Sequence, residues 1–481
     1  TVTVTPNKKG ELSAAVKVTW SEADENEFKN VYTAEPVESS VTDQIAVKKS
    51  LTGRDLAAGE FSFELLEVVD KEDKPVETVT NDASGKVAFK AIKYTEIGQH
   101  TYKLHEVQGN AGGITYDDTT YIIVTTISDN GKGQLVATHE LKDAKDPKNI
   151  EFKNAYTTNA AEASLAGKKN LQVPDGLTPA DITGKFTFTV TGEEGAPMPA
   201  SKSVHNDADG KVDFGEITFT LDDLNNALGE KPEKREHTFT YTVTESGEVA
   251  GVTNDAKLSR EVSFTVADNG KGKLSVSPNP DGDVAFTFTN TYSVTPIESR
   301  VTDQIKATKV LTGRALEKGE FSFELVEGEG KDAKVVAKGT NTADGKIAMD
   351  KITYDKPGTH NYTLREAKGN VAGITYDGTT YTIETIVKDN GDGTLDVEHK
   401  LQNADEAKFT NSYKPGSKVS SVTDQITATK VLTGRELGLK AGEFRFELVE
   451  GNDVVATGTN NADGKIVMDP VTYEAAGEHT Y

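Results

Sequence analysis

A lysine, a glutamate and an asparagine recur at matching positions in repeated strand patterns. Because successive side chains of a β-strand alternate between two faces, residues two apart share a face. In the stretch around Lys309, this rule places the lysine between Ala307 and Leu311 on an otherwise apolar face. The lysines at this position are Lys49, Lys169, Lys309 and Lys430. The adjacent Lys48 and Lys168 fall on the opposite face, where water can solvate them.

The same rule places a glutamate and an asparagine on apolar faces elsewhere in each repeat. The pattern Y-x-L-x-E, or Y-x-V-x-E in one copy, contains Glu106, Glu245 and Glu366. The pattern F-x-N-x-Y contains Asn30, Asn154, Asn290 and Asn411. We therefore expect each complete repeat to direct one lysine, one glutamate and one asparagine into its core.

This trio of side chains could form a covalent bond. Burying an unpaired ammonium or carboxylate costs several kcal/mol, so the two groups must pair or become neutral. A neutral amine is a nucleophile, and a protonated carboxyl can polarise an amide and pass its proton to departing ammonia. The product would be a Lys–Asn isopeptide bond, favoured by proximity in the core. A buried Lys–Glu ion pair with asparagine as hydrogen-bond partner explains the same pattern, and the residues alone leave both open.

The elements that carry the trio are β-strands. Thr, Val, Tyr and Phe alternate with polar residues, and Asp/Asn-Gly turns separate the runs, which predicts an all-β fold. Repeats at domain spacing divide the chain into five parts. We expect the end of a truncated domain at 1–36, complete domains at 41–157, 160–293 and 301–413, and the start of another at 417–481. The second complete domain carries insertions, including a predicted short helix over Leu221–Leu228.

Composition excludes several functions. The net charge of −24 argues against nucleic acid and anionic membranes as partners, since phosphate binding needs clustered Lys and Arg. The absence of cysteine excludes disulfides, thiolate metal sites and Cys nucleophiles. No apolar run reaches transmembrane length. We find no metal-ligand spacing or cofactor motif, and expect neither cofactor nor metal, nor an enzyme that acts on an external substrate.

Five motifs occur in a fixed order: K-x-L-T-G-R, F-x-F-x-L, Y-x-L-x-E-x-x-G, I-T-Y-D and F-x-N-x-Y. Together they resemble the isopeptide-linked domains of Gram-positive pilins and adhesins, in particular the FctA-type streptococcal pilus-shaft family. The resemblance implies tandem immunoglobulin-like (CnaB-type) β-sandwiches arranged as an elongated rod. It also implies a bond between a first-strand lysine and a last-strand asparagine, catalysed by a glutamate of a central strand.

By motif position, the resemblance assigns these roles to Lys49, Glu106 and Asn154; to Lys169, Glu245 and Asn290; and to Lys309, Glu366 and Asn411. The second repeat departs from the pattern, with K-K-N-L-Q where the others have K-x-L-T-G. The two terminal parts supply Lys430 and Asn30 but no glutamate between them. We therefore expect no Lys430–Asn30 bond.

The expected function is a stalk or shaft segment of a pilin or adhesin, extracellular and anchored to a Gram-positive cell wall. Its only catalysis would be autocatalytic bond formation. The expected partners are neighbouring domains of the same polypeptide, with other pilin subunits or host surface ligands as further partners. The alternative is a module that binds a host matrix protein or glycan, with its site in the extra loop and helix of the second repeat.

Overall fold

The computed structural model describes residues 2–17, 30–229, 234–279 and 285–481. We name residues 41–157 the first unit, 160–293 the second unit and 301–413 the third unit. Residues 1–36 are the N-terminal segment and 417–481 the C-terminal segment. The predicted all-β fold is confirmed, because each unit is a pair of β-sheets packed face to face.

The first unit contains a four-stranded and a five-stranded sheet. The smaller sheet has the spatial order Ile114–Thr115, Asn149–Tyr156, Ala46–Thr52, Lys86–Val87. The larger has the order Leu135–Leu141, Thr120–Asp129, Gly98–Glu106, Ser62–Val69, Glu72–Thr80. A separate pair joins Val37–Ser39 to Ile92–Tyr94, and a 3₁₀ turn occupies Val41–Asp43.

The second unit repeats this division into four and five strands. The smaller sheet has the order Lys211–Phe219, Ala161–Gln172, Phe286–Tyr292, Val252–Thr253. The larger has the order Ser203–His205, Thr187–Gly192, Glu236–Ser246, Ser259–Asp268, Leu274–Asn279. An α-helix at Leu221–Leu228 begins with a capping box, in which Thr220 and Asp223 each accept the other's backbone N–H.

The third unit has a three-stranded and a six-stranded sheet. The smaller has the order Ala307–Thr312, Ala407–Tyr413, Ile374–Thr375. The larger has the order Ile347–Met349, Lys334–Asn341, Ser322–Glu327, Gly358–Glu366, Thr380–Asp389, Leu395–Leu401. Strand Ile297–Ser299 pairs with Ile352–Tyr354, a four-residue helix spans Val301–Gln304, and a 3₁₀ turn spans Gly330–Asp332.

The two segments at the ends contain smaller sheets. In the N-terminal segment, Val2–Pro6 pairs with Leu12–Val16. In the C-terminal segment, Lys418–Ser420 pairs with Val471–Tyr473, and a three-stranded sheet contains Arg445–Glu450, Asp453–Asn460 and Ile466–Met468. A 3₁₀ turn occupies Val422–Asp424.

One feature of the topology brings lysine and asparagine together. In each unit the first long strand, the lysine strand, runs parallel to the last strand, the asparagine strand. In the first unit Lys49 lies opposite Phe152, and Leu51 lies opposite Asn154. Lysine and asparagine are thus diagonal neighbours on one face of one sheet. The glutamate strand, Gly98–Glu106 in the first unit, belongs to the facing sheet, so its carboxylate approaches both from across the core.

Each unit has its own hydrophobic core between its two sheets. In the first unit, strand Leu135–Leu141 alternates buried and exposed residues along its whole length, as a half-buried strand should. The first core includes Phe63 and Phe152, and their rings lie 5.1 Å apart. The trio sits inside this layer, so water is excluded from it.

Candidate crosslinking site

In the first unit, one carboxylate holds both the amine and the amide. Lys49 Nζ lies 2.7 Å from Glu106 Oε2, and Asn154 Nδ2 donates to Glu106 Oε1 at 2.7 Å. All three residues are at most 2% exposed. The two nitrogens therefore lie side by side on the two oxygens of a single buried glutamate.

The third unit reproduces this arrangement. Lys309 Nζ lies 2.7 Å from Glu366 Oε2, and Asn411 Nδ2 donates to Glu366 Oε1 at 2.7 Å. Lys309 and Asn411 are buried to the same degree as their counterparts in the first unit. The rings around the two trios also match, with Phe63 and Phe152 in the first unit at the positions of Phe323 and Phe409 in the third.

Burial also lowers the pKa of the three lysine side chains. Lys49 Nζ lies 4.7 Å from the ring centroid of Phe61, and Lys309 Nζ lies 4.5 Å from that of Phe321. Desolvation lowers the pKa of Lys49, Lys169 and Lys309 below the usual value, although the adjacent glutamate carboxylate opposes it in each case. Removal of water thus increases the fraction of neutral, nucleophilic amine.

An aspartate orients the asparagine, and the sequence analysis did not identify it. The backbone N–H of Asp117 donates to Asn154 Oδ1 at 2.8 Å, while Asp117 Oδ2 accepts the backbone N–H of Lys153 at 2.7 Å. A backbone N–H can only face the amide oxygen, so this contact fixes which way the amide points. The NH₂ group consequently faces Glu106, and the carbonyl is polarised by a hydrogen-bond donor.

We call this contact between the aspartate N–H and the asparagine oxygen the aspartate clamp. The same clamp occurs in the other two units. The N–H of Asp255 donates to Asn290 Oδ1 at 2.8 Å, and that of Asp377 donates to Asn411 Oδ1 at 2.7 Å. The recurrence of the final Asp in I-T-Y-D was the signal that could have revealed it. Spacing alone could not, because the contact is made by the backbone of a loop.

The second unit holds its trio differently. Lys169 Nζ lies 2.6 Å from Glu245 Oε1, but its direction does not meet hydrogen-bond geometry. Asn290 Nδ2 donates to the same oxygen at the longer distance of 3.2 Å, and also to Asn254 Oδ1 at 3.1 Å. Among the residues that the structure describes, Glu245 Oε2 has no hydrogen-bond partner. Amine and amide therefore share one oxygen instead of taking one each.

The two candidates in the end segments are not brought together. Lys430 is half-buried with Nζ 4.4 Å from the ring centroid of Phe444, and no carboxylate lies within ion-pair distance of it in the described ranges. Asn30 is exposed. Phe28, predicted to share the strand face of Asn30, lies outside the described residues. The expectation that no Lys430–Asn30 bond forms stays a prediction.

Neither a metal cluster nor a membrane span is found in the described part of the chain. Within residues 2–17, 30–229, 234–279 and 285–481, no group of three or more His, Asp or Glu side chains is arranged to hold a metal ion. In the same ranges, no helix combines the length and apolar character needed to cross a bilayer.

The family described as FctA, the Spy0128-like isopeptide containing domain, matches residues 45–157, 165–293 and 305–414. These three stretches make up more than half of the chain, and they contain all three trios. The chain belongs to this family. The resemblance predicted from the five motifs is confirmed.

The chain is also similar to individual pilins. A pilin of Streptococcus pyogenes serotype M1 is 29% identical over 117 residues, which is 23% of this chain and 32% of that pilin. The chain thus matches about a third of that relative's length. The major pilin T-13 of S. pyogenes, 14% identical, is matched over 54% of this chain and 100% of its own, with a TM-score of 0.21.

A second solved structure comes from another genus. Two B repeat units of the collagen binding protein of Staphylococcus aureus are 16% identical, cover 92% of this chain and 91% of their own, and give a TM-score of 0.18. At TM-scores this low, the assignment rests on the family match and on the strand topology described above.

Proposed function

We propose that the three units form shaft segments of a Gram-positive surface pilin or adhesin, each closed by a Lys–Asn isopeptide bond. The bonds join Lys49 to Asn154, Lys169 to Asn290 and Lys309 to Asn411. The observation that carries the proposal is the shared carboxylate. In two units, the lysine nitrogen and the asparagine amide nitrogen each lie 2.7 Å from one of its oxygens. An ion pair alone would explain the lysine contact but gives no reason for a clamped amide on the other oxygen.

The reaction needs only the groups at the site. A proton passes from the lysine ammonium to the glutamate carboxylate, which the low dielectric favours because it removes two charges. The neutral amine attacks Cγ of the asparagine, whose oxygen is held by the aspartate backbone N–H. The glutamic acid gives its proton to the amide nitrogen, ammonia leaves, and the resulting carboxylate takes the second proton from the attacking nitrogen. One C–N bond forms and one breaks, and the carboxyl group acts as acid and base.

The position of the bond explains why it suits a shaft. Tension along the polypeptide enters a unit near its first strand and leaves at its last. A covalent link between these strands would carry the load directly, and the roughly hundred residues between them could not extend. The chain has no cysteine, so this link would take the place that disulfides take in many secreted domains.

Single-molecule pulling of the full chain tests the mechanical role. The expected result is that none of the three units lengthens before the tether breaks. Lys49→Arg should release the first unit and add about 350 Å of extension, at roughly 3.5 Å per residue. Lys48→Arg is the matched control, because this neighbour is exposed on the opposite face. Extension of all three units in the unaltered protein would refute the proposal.

The alternative, a module that binds a host ligand, gains no support from the second unit's insertion. We expected its site at the extra loop and helix of that unit. Instead, Asn225 of the helix donates from Nδ2 to the carbonyl of Gly53 in the first unit, at 2.9 Å. The helix therefore contacts the neighbouring unit, and no second function is proposed.

A further inference from the structure

The tyrosine that ends each asparagine strand inserts into a turn of the following unit. Tyr156, at the end of the first unit, donates its hydroxyl to Asp268 Oδ1 at 2.6 Å. The backbone N–H of Gly272 donates to the Tyr156 hydroxyl oxygen at 2.9 Å. Asp268 and Gly272 are the first and last residues of an Asp-Asn-Gly-Lys-Gly turn in the second unit. Tyr156 is 2% exposed, and both of these hydrogen bonds join its hydroxyl to the second unit.

The same two hydrogen bonds occur at two further boundaries. Tyr292 donates to Asp389 Oδ1 at 2.6 Å and accepts the N–H of Gly393 at 3.1 Å. In the N-terminal segment, Tyr32 donates to Asp129 Oδ1 at 3.0 Å and accepts the N–H of Gly133 at 2.8 Å. At all three boundaries the contact joins a closing tyrosine to an Asp-Asn-Gly-x-Gly turn, which argues against a chance packing arrangement.

Glycines allow the two backbones to meet at these boundaries. Gly272 has a φ of +82°, and a Cβ added to it would lie 2.6 Å from the backbone nitrogen of Gly113 in the first unit. A Cβ on Gly251 would lie 2.5 Å from the backbone nitrogen of Gly393 in the third unit. Any side chain at these positions would separate the units and withdraw the tyrosine from the turn.

The insertions of the second unit brace both of its boundaries. On one side, Arg235 Nε donates to Asp268 Oδ2 at 2.7 Å, and Arg235 Nη2 donates to Asn225 Oδ1 at 2.8 Å. On the other side, the backbone N–H of Thr178 donates to Asp389 Oδ2 at 2.8 Å. The second oxygen of each turn aspartate is therefore satisfied by the second unit, by a different group each time.

We propose that these tyrosines and turns form interunit locks that fix the orientation of neighbouring units, and that Tyr413 presents the same surface to a further unit with an Asp-x-Gly-x-Gly turn. A lock consists of the closing tyrosine, the turn aspartate and the last turn glycine. The proposal goes beyond the isopeptide bonds, because those bonds act within units and the locks act between them. Only the mechanical use of the locks rests on the proposed shaft function.

The surface around Tyr413 matches that around Tyr156. Arg314 lies over the Tyr413 ring at 4.9 Å, as Arg54 lies over the Tyr156 ring at 4.8 Å. In the described part of the chain, the Tyr413 hydroxyl makes no hydrogen bond and the ring is only half-buried. The Tyr413 ring is thus covered by an arginine as the Tyr156 ring is, and its hydroxyl is available to a turn.

A lock continues the load path of the crosslink. Tyr156 lies two residues after Asn154 on the same strand, so both side chains point to the same face. Bending the boundary would withdraw a buried hydroxyl from a carboxylate, one of the stronger kinds of hydrogen bond. Without such contacts, relative motion of neighbouring domains is the default expectation.

Distance distributions between spin labels test the locks. The chain has no cysteine, so Lys74→Cys and Lys202→Cys place single labels on exposed positions of the first and second units. Tyr156→Phe should broaden the distribution about twofold or more, because the boundary then loses the buried hydrogen bonds that fix its orientation. Tyr413→Phe is the matched control and should leave it unchanged. Gly272→Val is a second variant that blocks insertion by steric exclusion and should have the same effect as Tyr156→Phe.

An unchanged distribution in both Tyr156→Phe and Gly272→Val would overturn the lock. Intact mass of the same samples reports the isopeptide bonds separately, so failure of one proposal is distinguishable from failure of the other.

The Tyr413 surface is tested by supplying a turn. His479–Tyr481 matches His360–Tyr362, so the full chain extended after Tyr481 by a copy of residues 363–413 gains a turn like Asp389–Gly393. In this extended chain, with labels at Lys338→Cys and Asn452→Cys, Tyr413→Phe should broaden a narrow distribution about twofold. A distribution that is equally broad with Tyr or Phe at 413 would show that this surface takes no such partner.

Discussion

The first and second units place the same three residue types in the same topology but hold them differently. In the first unit, Lys49 and Asn154 take separate oxygens of Glu106, each at 2.7 Å. In the second unit, lysine and asparagine converge on one oxygen of their glutamate, and the other oxygen has no partner in the described part of the chain. The strand framework thus brings a trio together, but it does not by itself arrange the trio for reaction.

One substitution next to the asparagine accounts for much of this difference. Where the first and third units have Tyr116 and Tyr376 in I-T-Y-D, the second unit has Asn254 in V-T-N-D. Both tyrosine rings pack edge-on against a phenylalanine, at 5.7 and 5.9 Å between ring centroids. Asn254 instead offers its Oδ1 to the NH₂ group of Asn290. The NH₂ group of Asn290 is therefore shared between Glu245 and a competing acceptor, Asn254.

The largest expected effect is loss of a bond when its glutamate is neutralised. Glu106→Gln should leave the first unit folded but open, because the amide side chain cannot transfer the proton that ammonia needs. By analogy with disulfides that close loops of this length, the open unit should lose about 4–5 kcal/mol of stability. Peptide mapping and calorimetry would measure both effects.

Glu140→Gln provides the control for that experiment, since Glu140 is exposed in the same unit. If the Lys49–Asn154 bond formed at its normal rate in Glu106→Gln, the role assigned to Glu106 would be wrong.

The next effect concerns the competing acceptor. Tyr116→Asn should slow closure of the first unit about tenfold, because the amide would then share its donor as in the second unit. Asn254→Tyr should accelerate closure of the second unit. Time courses of cell-free synthesis, followed by peptide mapping, would give both rates. Equal closure rates in the unaltered first and second units would remove the basis of this comparison.

A smaller effect is expected at the aspartate clamp. Asp117→Ala removes the acceptor for the N–H groups of Thr119 and Lys153, which loosens the loop whose backbone holds Asn154 Oδ1. Closure should slow roughly threefold to tenfold, since the oxygen of the reacting amide loses a fixed donor. The adjacent Asp118→Ala, at an exposed position, should close at the normal rate. The same time course distinguishes them.

The smallest expected effect is a difference between the units in how their stability depends on pH. His139 and His399 are buried in the first and third units between hydroxyl groups, and desolvation lowers the pKa of each. The second unit has Pro278 at the corresponding strand position. Below pH about 6.5 the unfolded histidine takes up a proton that the folded one resists, so stability falls as pH falls.

Calorimetry at pH 7.5 and 5.5 should therefore lower the transitions of the first and third units more than that of the second. Transitions can be assigned to units with the glutamate variants. An equal shift of all three transitions would show that the buried histidines do not determine the difference.

Period-two alternation predicted much of this structure from sequence. It placed Lys49, Glu106 and Asn154 on apolar faces, and repetition along the chain made that pattern informative. It could not predict the role of Asp117, because the contact comes from a loop backbone whose path depends on tertiary packing. Tyr156 was recognised as part of F-x-N-x-Y, but its partner Asp268 belongs to the next unit, and strand patterns give no information across a boundary.

The most direct test of the central claim is the intact mass of the full chain. Each Lys–Asn bond expels one ammonia, so each closed unit should lower the mass by about 17 Da. Closure of all three units predicts a mass about 51 Da below that of the sequence, and each glutamate variant should recover about 17 Da of it. A protein at its full sequence mass would contradict the account, because the trios would then be buried ion pairs and nothing more.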